Sequence, residues 1–364
     1  MINSKIKIAI VSTSLATGGA ERFASLLSKM LENDLVEVHN VIINDVVDYN
    51  YHGKLYNLGK LSEHRFSLYK KIKKGFLLHQ YLKQNKIELI IDNRPRNHFL
   101  REIISNLIYR KRKKWFVIHS FNLKNYFPRP CFLSKKIYEK ADKLICVSKE
   151  IEDLVVEKFN FSNTVTIYNP FEISELEITN EVSESEKYIL FFGRFNEKVK
   201  NFSLMLEAFL KSEIYNSGYS LYLLGEGPDL NFIQKKIRDL GLEKFVKIIP
   251  AKQNPYKYIS KAKYTVLTSH FEGFPMSIIE SLAIGIPVVS VNCKSGPKEI
   301  IQSEFNGLLV ENYNSTLLAE AFKRMIYDED FYRFCKNNTA KSVTHLSLES
   351  VGEQWKKLIF SNKI

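Results

Sequence analysis

The sequence predicts an α/β protein of two domains, each built on a doubly wound parallel sheet. The chain has 364 residues, more than one hydrophobic core usually supports, and 45% of them are hydrophobic. Strand-like runs alternate with helical patterns along the first half, which is typical of a parallel sheet. The alternation begins again near residue 188, so the second half predicts a second sheet of the same kind.

The first half contains five strand-like runs and four helical patterns. The strands are expected at Ile6–Ser12, Val36–Ile43, Glu88–Asp92, Trp115–His119 and Lys143–Val147. The helices are expected near 20–32, 64–85, 97–109 and 149–158. Ligands of doubly wound sheets bind at the carboxyl ends of strands, so the residues that follow these strands are the candidates for contact.

Several segments occupy such positions in the first half. Gly18 and Gly19 open a helix after the first strand, where paired glycines let a backbone approach a ligand closely. An ordinary strand-to-helix turn explains the same pair. His119 ends a later strand, where it can contact a ligand or have a purely structural role. Asp92–Arg96 follow the strand between these two and could line the same crevice.

Composition places the domain boundaries. Residues 1–170 are predicted to form the N-terminal domain. Residues 171–187 are rich in Glu and Ser with little periodicity, which indicates a linker. Residues 188–345 are predicted to form the second domain, and 346–364 contain a last helical pattern.

All of the excess positive charge lies in the first half. Residues 1–170 contain 29 Lys and Arg against 16 Asp and Glu, whereas the remainder contains 24 of each. Basic clusters at 70–74 and 110–114 are interleaved with aromatic residues. Near an anionic membrane each basic residue contributes about 1 kcal/mol, so the clusters suit such a surface. A solvated basic face is the alternative; nucleic acid would also suit the charge, but no nucleic-acid recognition fold is apparent.

The remaining bulk features favour a cytoplasmic protein. No run of eighteen apolar residues predicts a transmembrane helix, and the N-terminal run alternates like a strand rather than a signal peptide. The four cysteines, Cys131, Cys146, Cys293 and Cys335, are scattered. This spacing suits reduced thiols better than disulfides or a metal site.

The most informative stretch is SHFEGFPMSIIESLAIGIPVVS, residues 269–290. Its apolar spacing predicts a helix that starts at Pro275 and stops before Gly285, with Glu272 in the preceding loop and Glu280 on the second turn. A helix N-terminus suits an anion, and the two carboxylates suit hydroxyl groups. An anion flanked by hydroxyl-bearing rings describes a sugar nucleotide.

Two glycine-containing loops follow other strands of the second half. Gly193-Arg194-Phe195 begins a loop in which an arginine and a lysine can hold phosphate, the lysine being either Lys198 or Lys200. Gly225 begins the tight turn Gly225-Glu226-Gly227-Pro228 after the next strand.

The run E-G-F-P-x-S-x-x-E-S-L-A-x-G-x-P-V-V resembles the E-x7-E signature of the family 4 retaining glycosyltransferases. These enzymes have the GT-B fold, with two Rossmann-like domains facing across a cleft. The resemblance covers most of the chain, because GGAER, ADKLICVS and the GRF loop also occur in the family's order. It implies that residues 142–148 line the same crevice and that the last helix crosses back to the first domain.

The resemblance also implies roles for single residues. His119 matches the histidine that contacts the donor sugar, and Gly18 and Gly19 match the N-terminal glycine loop. Arg194 matches the arginine that holds the donor diphosphate, and the Asn-Phe pair after Lys200 favours that lysine over Lys198. The remaining donor-binding positions are Gly193, Gly225, Gly273, Phe274, Pro275, Met276 and Glu280.

The expected reaction is retaining transfer of a hexose or N-acetylhexosamine from a UDP-sugar to a lipid-linked saccharide of lipopolysaccharide, O-antigen or capsule. Glu272 is expected to hold sugar hydroxyls, and Glu280 ribose hydroxyls. Arg194, Lys200 and the helix N-terminus would stabilise the diphosphate, so no metal or other cofactor is expected. The acidic run 328–330 is interpreted as a helix start rather than a metal site.

The expected partners are the donor, the acceptor and an anionic membrane surface, with no nucleic acid. The protein is expected in the cytoplasm, peripherally bound to the inner face of the plasma membrane. A noncatalytic nucleotide-sugar or membrane-binding module is the alternative. A dinucleotide-dependent oxidoreductase is a weaker alternative, because the chain lacks the G-x-G-x-x-G fingerprint.

Overall fold

The computed structural model describes residues 5–16, 18–62, 67–172, 186–252 and 254–361. The chain divides into two units, one made of Met1–Pro170 with Leu348–Ile364 and the other of Phe171–Ser347. Each unit contains one parallel sheet flanked by helices, which confirms the predicted fold class. Of the predicted linker, residues 173–185 lie outside the described residues.

The first unit has a seven-stranded sheet in the order β3-β2-β1-β4-β5-β6-β7. Its strands are β1 Ile6–Ser12, β2 Val36–Ile42, β3 Lys54–Asn57, β4 Leu89–Asp92, β5 Lys113–Ile118, β6 Lys143–Cys146 and β7 Thr164–Thr166. Its helices are α1 Gly19–Leu31, α2 Leu58–Leu61, α3 Ser67–Gln84, α4 Phe99–Ile108, α5 Cys131–Tyr138 and α6 Lys149–Phe159. The five predicted strands are confirmed, and both edge strands, β3 and β7, escaped the sequence analysis.

The last helix of the chain, Leu348–Ser361, packs on α1 within the first unit. The buried Trp355 lies with its ring centroid 6.0 Å from Phe23 and 6.1 Å from Trp115. Gly352 packs against Met30, and an added Cβ would make an ordinary contact with the methionine side chain at 3.4 Å. The helix therefore belongs to the hydrophobic core of the first unit.

The second unit has a six-stranded sheet in the order β10-β9-β8-β11-β12-β13. Its strands are β8 Tyr188–Phe192, β9 Ser220–Leu224, β10 Val246–Ile249, β11 Thr265–Leu267, β12 Val288–Val291 and β13 Gly307–Val310. Its helices are α7 Glu197–Lys200, α8 Phe202–Ser212, α9 Leu230–Asp239, α10 Tyr256–Lys261, α11 Met276–Ala283, α12 Pro297–Ile300, α13 Ser315–Tyr327 and α14 Glu329–Ser342; the last helix of the chain is α15. The rings of Phe191, Phe195 and Phe202 pack together in its core.

Both strand orders contain a point where the chain reverses its direction across the sheet. In the first unit the reversal lies between β1 and β4, and in the second between β8 and β11. Loops leave such a point in opposite directions and open a crevice at the carboxyl ends of the two strands. The loops after these four strands are therefore where each unit can hold a ligand.

Candidate active site

In the second unit, the loops after β8 and β9 lie backbone to backbone. The Gly193 N–H donates to the Leu224 carbonyl at 3.0 Å, and the Phe195 N–H donates to the Glu226 carbonyl at 2.7 Å. An added Cβ on Gly225, whose φ is +157°, would lie 1.9 Å from the Gly193 oxygen. Only glycine fits there, and the contact fixes the loop from which the exposed Arg194 projects.

The loop after β11 meets α7 through an ion pair between Lys200 and Glu272. Lys200 Nζ lies 2.6 Å from Glu272 Oε1, and the Ser269 hydroxyl donates to the same oxygen at 2.6 Å. The side chains of Lys200 and Glu272 are 17% and 12% exposed. Lys198, two residues earlier, is exposed. The geometry therefore distinguishes the two candidate lysines, since only Lys200 joins the acidic loop that precedes α11.

The predicted helix after Glu272 is confirmed as α11, which begins at Met276 and ends at Ala283. The loop before it is held by a neighbouring segment. The Glu272 N–H donates to the Lys294 carbonyl at 2.6 Å, and the Ser295 hydroxyl donates to the Gly273 carbonyl at 2.9 Å. The first N–H groups of a helix have no acceptor within it, so they are available to an anion.

The two carboxylates of the E-x7-E run have different surroundings. Glu272 lies in the loop and forms the ion pair described above, whereas Glu280 lies on the second turn of α11 and is 4% exposed. Gly273, Phe274 and Pro275 between them are buried. The loop is thus a packed part of the second unit that presents one half-buried carboxylate beside a lysine.

In the first unit, the glycine loop joins β1 to α1, as predicted. Gly18 has φ +156° and donates its N–H to the Tyr49 hydroxyl at 3.4 Å. Gly19 begins α1, and an added Cβ there would find no atom within 4 Å. Thr17, the first residue of the quoted motif, lies outside the described residues. Gly18 and Gly19 are both exposed, so a ligand can reach the start of α1.

His119 follows β5 and is held by Asn93, a residue whose role the sequence analysis missed. Nε2 of His119 bonds to Oδ1 of Asn93, whose Nδ2 donates to the Ala20 carbonyl at 2.6 Å. The bond from Asn93 Nδ2 to Ala20 fixes the orientation of the Asn93 amide, so its Oδ1 faces His119. Because an amide oxygen only accepts, Nε2 of His119 must bear the proton. Burial, and then the positive charge of Arg96, lower the pKa of His119 to about 3. The imidazole is thus neutral, with Nδ1 as its acceptor.

The structure corrects the expected role of Asp92–Arg96 as a lining of the crevice. Arg94 donates to Asp92 from Nε at 2.9 Å and from Nη2 at 2.5 Å, and the Tyr109 hydroxyl donates to the same carboxylate at 2.9 Å. Both arginines of the run are buried, and Arg96 donates to the Val117 carbonyl at 3.0 Å. Although burial acts to raise it, Arg94 holds the pKa of Asp92 below its usual value. The run is an internal polar network.

Other predicted features have structural roles. Ser148, at the end of the run 142–148, is buried and caps α6 by accepting from the Ile151 N–H at 3.3 Å. Asp328 caps α14, which confirms the interpretation of 328–330 as a helix start. Among the described residues no group of three or more His, Cys, Asp or Glu side chains could hold a metal ion. Cys146, Cys293 and Cys335 are buried cysteines outside any disulfide, and Cys131 is an exposed one.

Comparison with known proteins identifies the family. Residues 173–342 match the family described as glycosyl transferases group 1. The chain is 30% identical over 348 residues to the N-acetylgalactosamine-N,N'-diacetylbacillosaminyl-diphospho-undecaprenol 4-alpha-N-acetylgalactosaminyltransferase of Campylobacter jejuni, covering 91% of this chain and 93% of that protein.

A second Campylobacter jejuni relative is the GalNAc-alpha-(1->4)-GalNAc-alpha-(1->3)-diNAcBac-PP-undecaprenol alpha-1,4-N-acetyl-D-galactosaminyltransferase, which is 28% identical and covers 97% of this chain and 98% of its own. The crystal structure of Anabaena Alr3699/HepE in complex with UDP-glucose superposes with a TM-score of 0.78 at 17% identity, over 98% of this chain and all of that one. These likenesses agree with the order of motifs along both units. The chain belongs to the group 1 glycosyl transferases and is a glycosyltransferase of the GT-B fold.

Proposed function

We propose that this enzyme transfers a hexose or N-acetylhexosamine, with retention, from a UDP-sugar to a lipid-linked saccharide acceptor of a cell-surface polysaccharide. The observation on which this rests is the Lys200–Glu272 ion pair, which lies where the loops after β8 and β11 separate. The relatives named above act, by their names, on saccharides linked to diphospho-undecaprenol. The Anabaena protein binds UDP-glucose.

The chemical demand of the reaction is to stabilise a diphosphate as the glycosidic bond breaks. Fixed positive groups that face the developing charge lower this barrier most. The exposed guanidinium of Arg194, the ammonium of Lys200 and the N-terminus of α11 supply that field from one unit. Arg194 can grip two phosphate oxygens with its planar fork, while Lys200 acts as a point charge.

Glu272 serves two purposes in this proposal. In the structure its Oε1 accepts from Lys200 and Ser269, and this holds the lysine beside the helix N-terminus. With donor bound, the carboxylate accepts hydrogen bonds from sugar hydroxyls and so orients the ring. Glu280, deeper on α11, accepts from the ribose hydroxyls. We assign neither carboxylate as a nucleophile.

His119 contacts the donor sugar as a neutral imidazole. Nε2 donates to Asn93 Oδ1, which leaves Nδ1 as the acceptor, so the ring can receive a hydrogen bond from a sugar hydroxyl. A neutral ring also avoids adding a second positive charge beside the buried Arg96. Gly18 and Gly19 lie at the start of α1 and let the backbone there approach a ligand closely.

A search with sugar nucleotides tests the reaction. Purified protein is incubated with UDP-glucose, UDP-galactose, UDP-GlcNAc and UDP-GalNAc, and free UDP is measured with and without an extract of lipid-linked saccharides. We expect slow hydrolysis of one donor and its acceleration by the extract, with the anomeric configuration retained in the product. Tight donor binding without turnover on any acceptor would favour a noncatalytic module, and oxidation of NADH would favour an oxidoreductase.

The enzyme meets its acceptor, in this proposal, at the inner face of the plasma membrane from the cytoplasm. None of the helices in the described ranges could span a bilayer, given their length and polarity.

In the cluster at 110–114, Arg110, Lys111 and Lys113 are exposed, whereas Lys114 donates a hydrogen bond to Asn106 at 2.8 Å. Replacing the three exposed residues by Gln should weaken binding to anionic vesicles at 0.15 M salt, where charges are screened within about 8 Å. Unchanged binding would show that the cluster is only solvated.

A further inference from the structure

Helix α4 is amphipathic with its apolar face outside. Leu100, Ile104 and Leu107 are 75%, 54% and 61% exposed, and with Ile103 they recur at the three- and four-residue spacing of one helix face. The polar residues Glu102 and Ser105 face inwards and are buried. A surface helix normally has the opposite arrangement, because burial of apolar side chains stabilises the fold.

The inner polar face is explained by its partners. Glu102 accepts a hydrogen bond from the Tyr138 hydroxyl at 2.9 Å, and Ser105 receives one from Arg94 at 3.2 Å. Burial raises the pKa of Glu102. These bonds settle which side of α4 faces the sheet, so the apolar side is left on the surface.

The neighbouring helices extend the apolar surface. Strands β4, β5 and β6 follow one another in one direction across the sheet, so right-handed connections place α3, α4 and α5 on the same face. Helix α4 packs against both neighbours. On α3, Ile72 and Phe76 are more than 60% exposed, and so is Phe132 at the start of α5. We call the exposed apolar residues of these three helices the apolar ridge.

The charge around the ridge selects its occupant. Residues 67–138 contain eighteen Lys and Arg but only three Asp and Glu, and of those three Asp92 and Glu102 are buried. A second copy of this chain would bring the same positive charge against the ridge and be repelled. An anionic bilayer offers lipid tails to the apolar side chains and negative headgroups to the cations.

We infer that the apolar ridge inserts into an anionic phospholipid bilayer, with α4 lying in the interface plane. This deepens the proposed function, because it adds apolar insertion to the charge attraction of the basic clusters. The two contributions differ in their response to salt: attraction of exposed charges is screened, whereas burial of apolar surface is not. Membrane contact through the ridge therefore persists at a salt concentration that abolishes contact through the clusters alone.

The test is flotation with vesicles of phosphatidylethanolamine and phosphatidylglycerol at 0.15 and 0.5 M NaCl. The double variant Ile104→Ser with Leu107→Ser removes apolar area without changing charge. We expect its partition coefficient at 0.5 M NaCl to be at least tenfold lower than that of the wild type. Leu35→Ser, which alters a comparably exposed leucine of the same unit away from the ridge, should stay within twofold.

A second readout uses the one exposed thiol in the described part of the chain. Cys131 adjoins Phe132 and can bear an environment-sensitive fluorophore, while Cys146, Cys293 and Cys335 are buried. Insertion predicts that lipids brominated on their acyl chains quench the fluorophore in bound protein. No quenching, or equal binding of the double variant and the wild type at 0.5 M NaCl, would overturn the inference.

Two further outcomes separate the competing explanations. A wild-type dimer in sedimentation that the double variant dissociates would show that a second copy covers the ridge, and would overturn the bilayer assignment. Failure of the wild type to bind anionic vesicles at either salt would do the same. Hydrolysis of UDP-sugars measured without vesicles reports only donor chemistry. If no UDP-sugar is hydrolysed, the proposed function is refuted, whereas the vesicle-binding result is unaffected.

Discussion

Replacing Lys200 by Ala tests the assignment of the phosphate lysine. The substitution removes a positive charge from the proposed donor site and leaves the side chain of Glu272 with the Ser269 hydroxyl as its remaining hydrogen-bond partner. At an effective dielectric constant of about 20, a unit charge about 4 Å from a phosphate oxygen contributes about 4 kcal/mol. Screening and relaxation reduce this, and single electrostatic donors in other enzymes are worth about 10²–10³ in kcat. We expect turnover to fall at least tenfold and up to about a thousandfold.

The matched control is Lys198→Ala, which removes the same charge from an exposed position two residues away. It should lower turnover by less than threefold. The assay is initial-rate release of UDP from the active donor under saturating acceptor, with thermal unfolding measured on both variants to establish that they fold. If Lys198→Ala is the more damaging substitution, the lysine assignment is wrong; if the two are equally mild, neither lysine stabilises the leaving group.

A second test at this site is a double-mutant cycle of Lys200→Ala and Glu272→Gln. The bare carboxylate left by Lys200→Ala repels the donor diphosphate, and Glu272→Gln removes that repulsion. The effects should therefore be less than additive, as is usual for residues in contact. Strict additivity of the two effects on kcat/KM would show that the ion pair of the free enzyme has no part in donor binding.

Three remaining predictions use separate features. Arg194→Ala should lower turnover at least tenfold in the same assay, with unchanged thermal stability because the side chain is exposed. Treatment with EDTA should leave most activity intact if, as we propose, protein groups meet the phosphate charge; complete loss that Mn²⁺ or Mg²⁺ restores would contradict this. The pKa of His119, lowered to about 3, predicts that folding stability declines as pH falls from 6.5 towards 3, because the unfolded state alone takes up the proton there. His119→Gln should flatten that decline in urea unfolding, and an unchanged slope would assign it to other groups.

The central strands were predictable from the sequence because burial is nearly continuous along them. In β1 six of seven residues are buried, and in β8 all five are, so each appears as an apolar run with clear ends. The edge strands β3 and β7 have only four and three residues, none of them buried. Such short, half-exposed strands have no hydrophobic signature, and their place is set by pairing with β2 and β6.

The loop and helix that carry Glu272 and Glu280 were predictable because their parts are local. The spacing of Glu272, Pro275 and Glu280 within one loop and helix fixes their places, and α11 begins where the sequence indicated. The ion pair from Lys200 to Glu272 spans 72 positions, and no local pattern points to it. The bond between His119 and Asn93 was missed for the same reason. The rule that ligands bind at the carboxyl ends of strands had drawn attention to the run Asp92–Arg96, which contains Asn93, but no local pattern indicates that Asn93 pairs with His119.

The segment after β4 shows why a correct helix prediction can leave its orientation open. Periodicity identified α4 as a helix with an apolar stripe and a polar stripe. It does not say which of the two stripes faces the sheet. Here Arg94 turns inwards to pair with Asp92 and Ser105, and Tyr138 pairs with Glu102, so the polar stripe satisfies buried groups that would otherwise cost about 1–3 kcal/mol each. The apolar stripe of α4 is then on the surface, because the buried network requires the polar stripe to face inwards. The same network that removed Asp92–Arg96 from the list of ligand contacts therefore produced the surface that we propose binds the membrane.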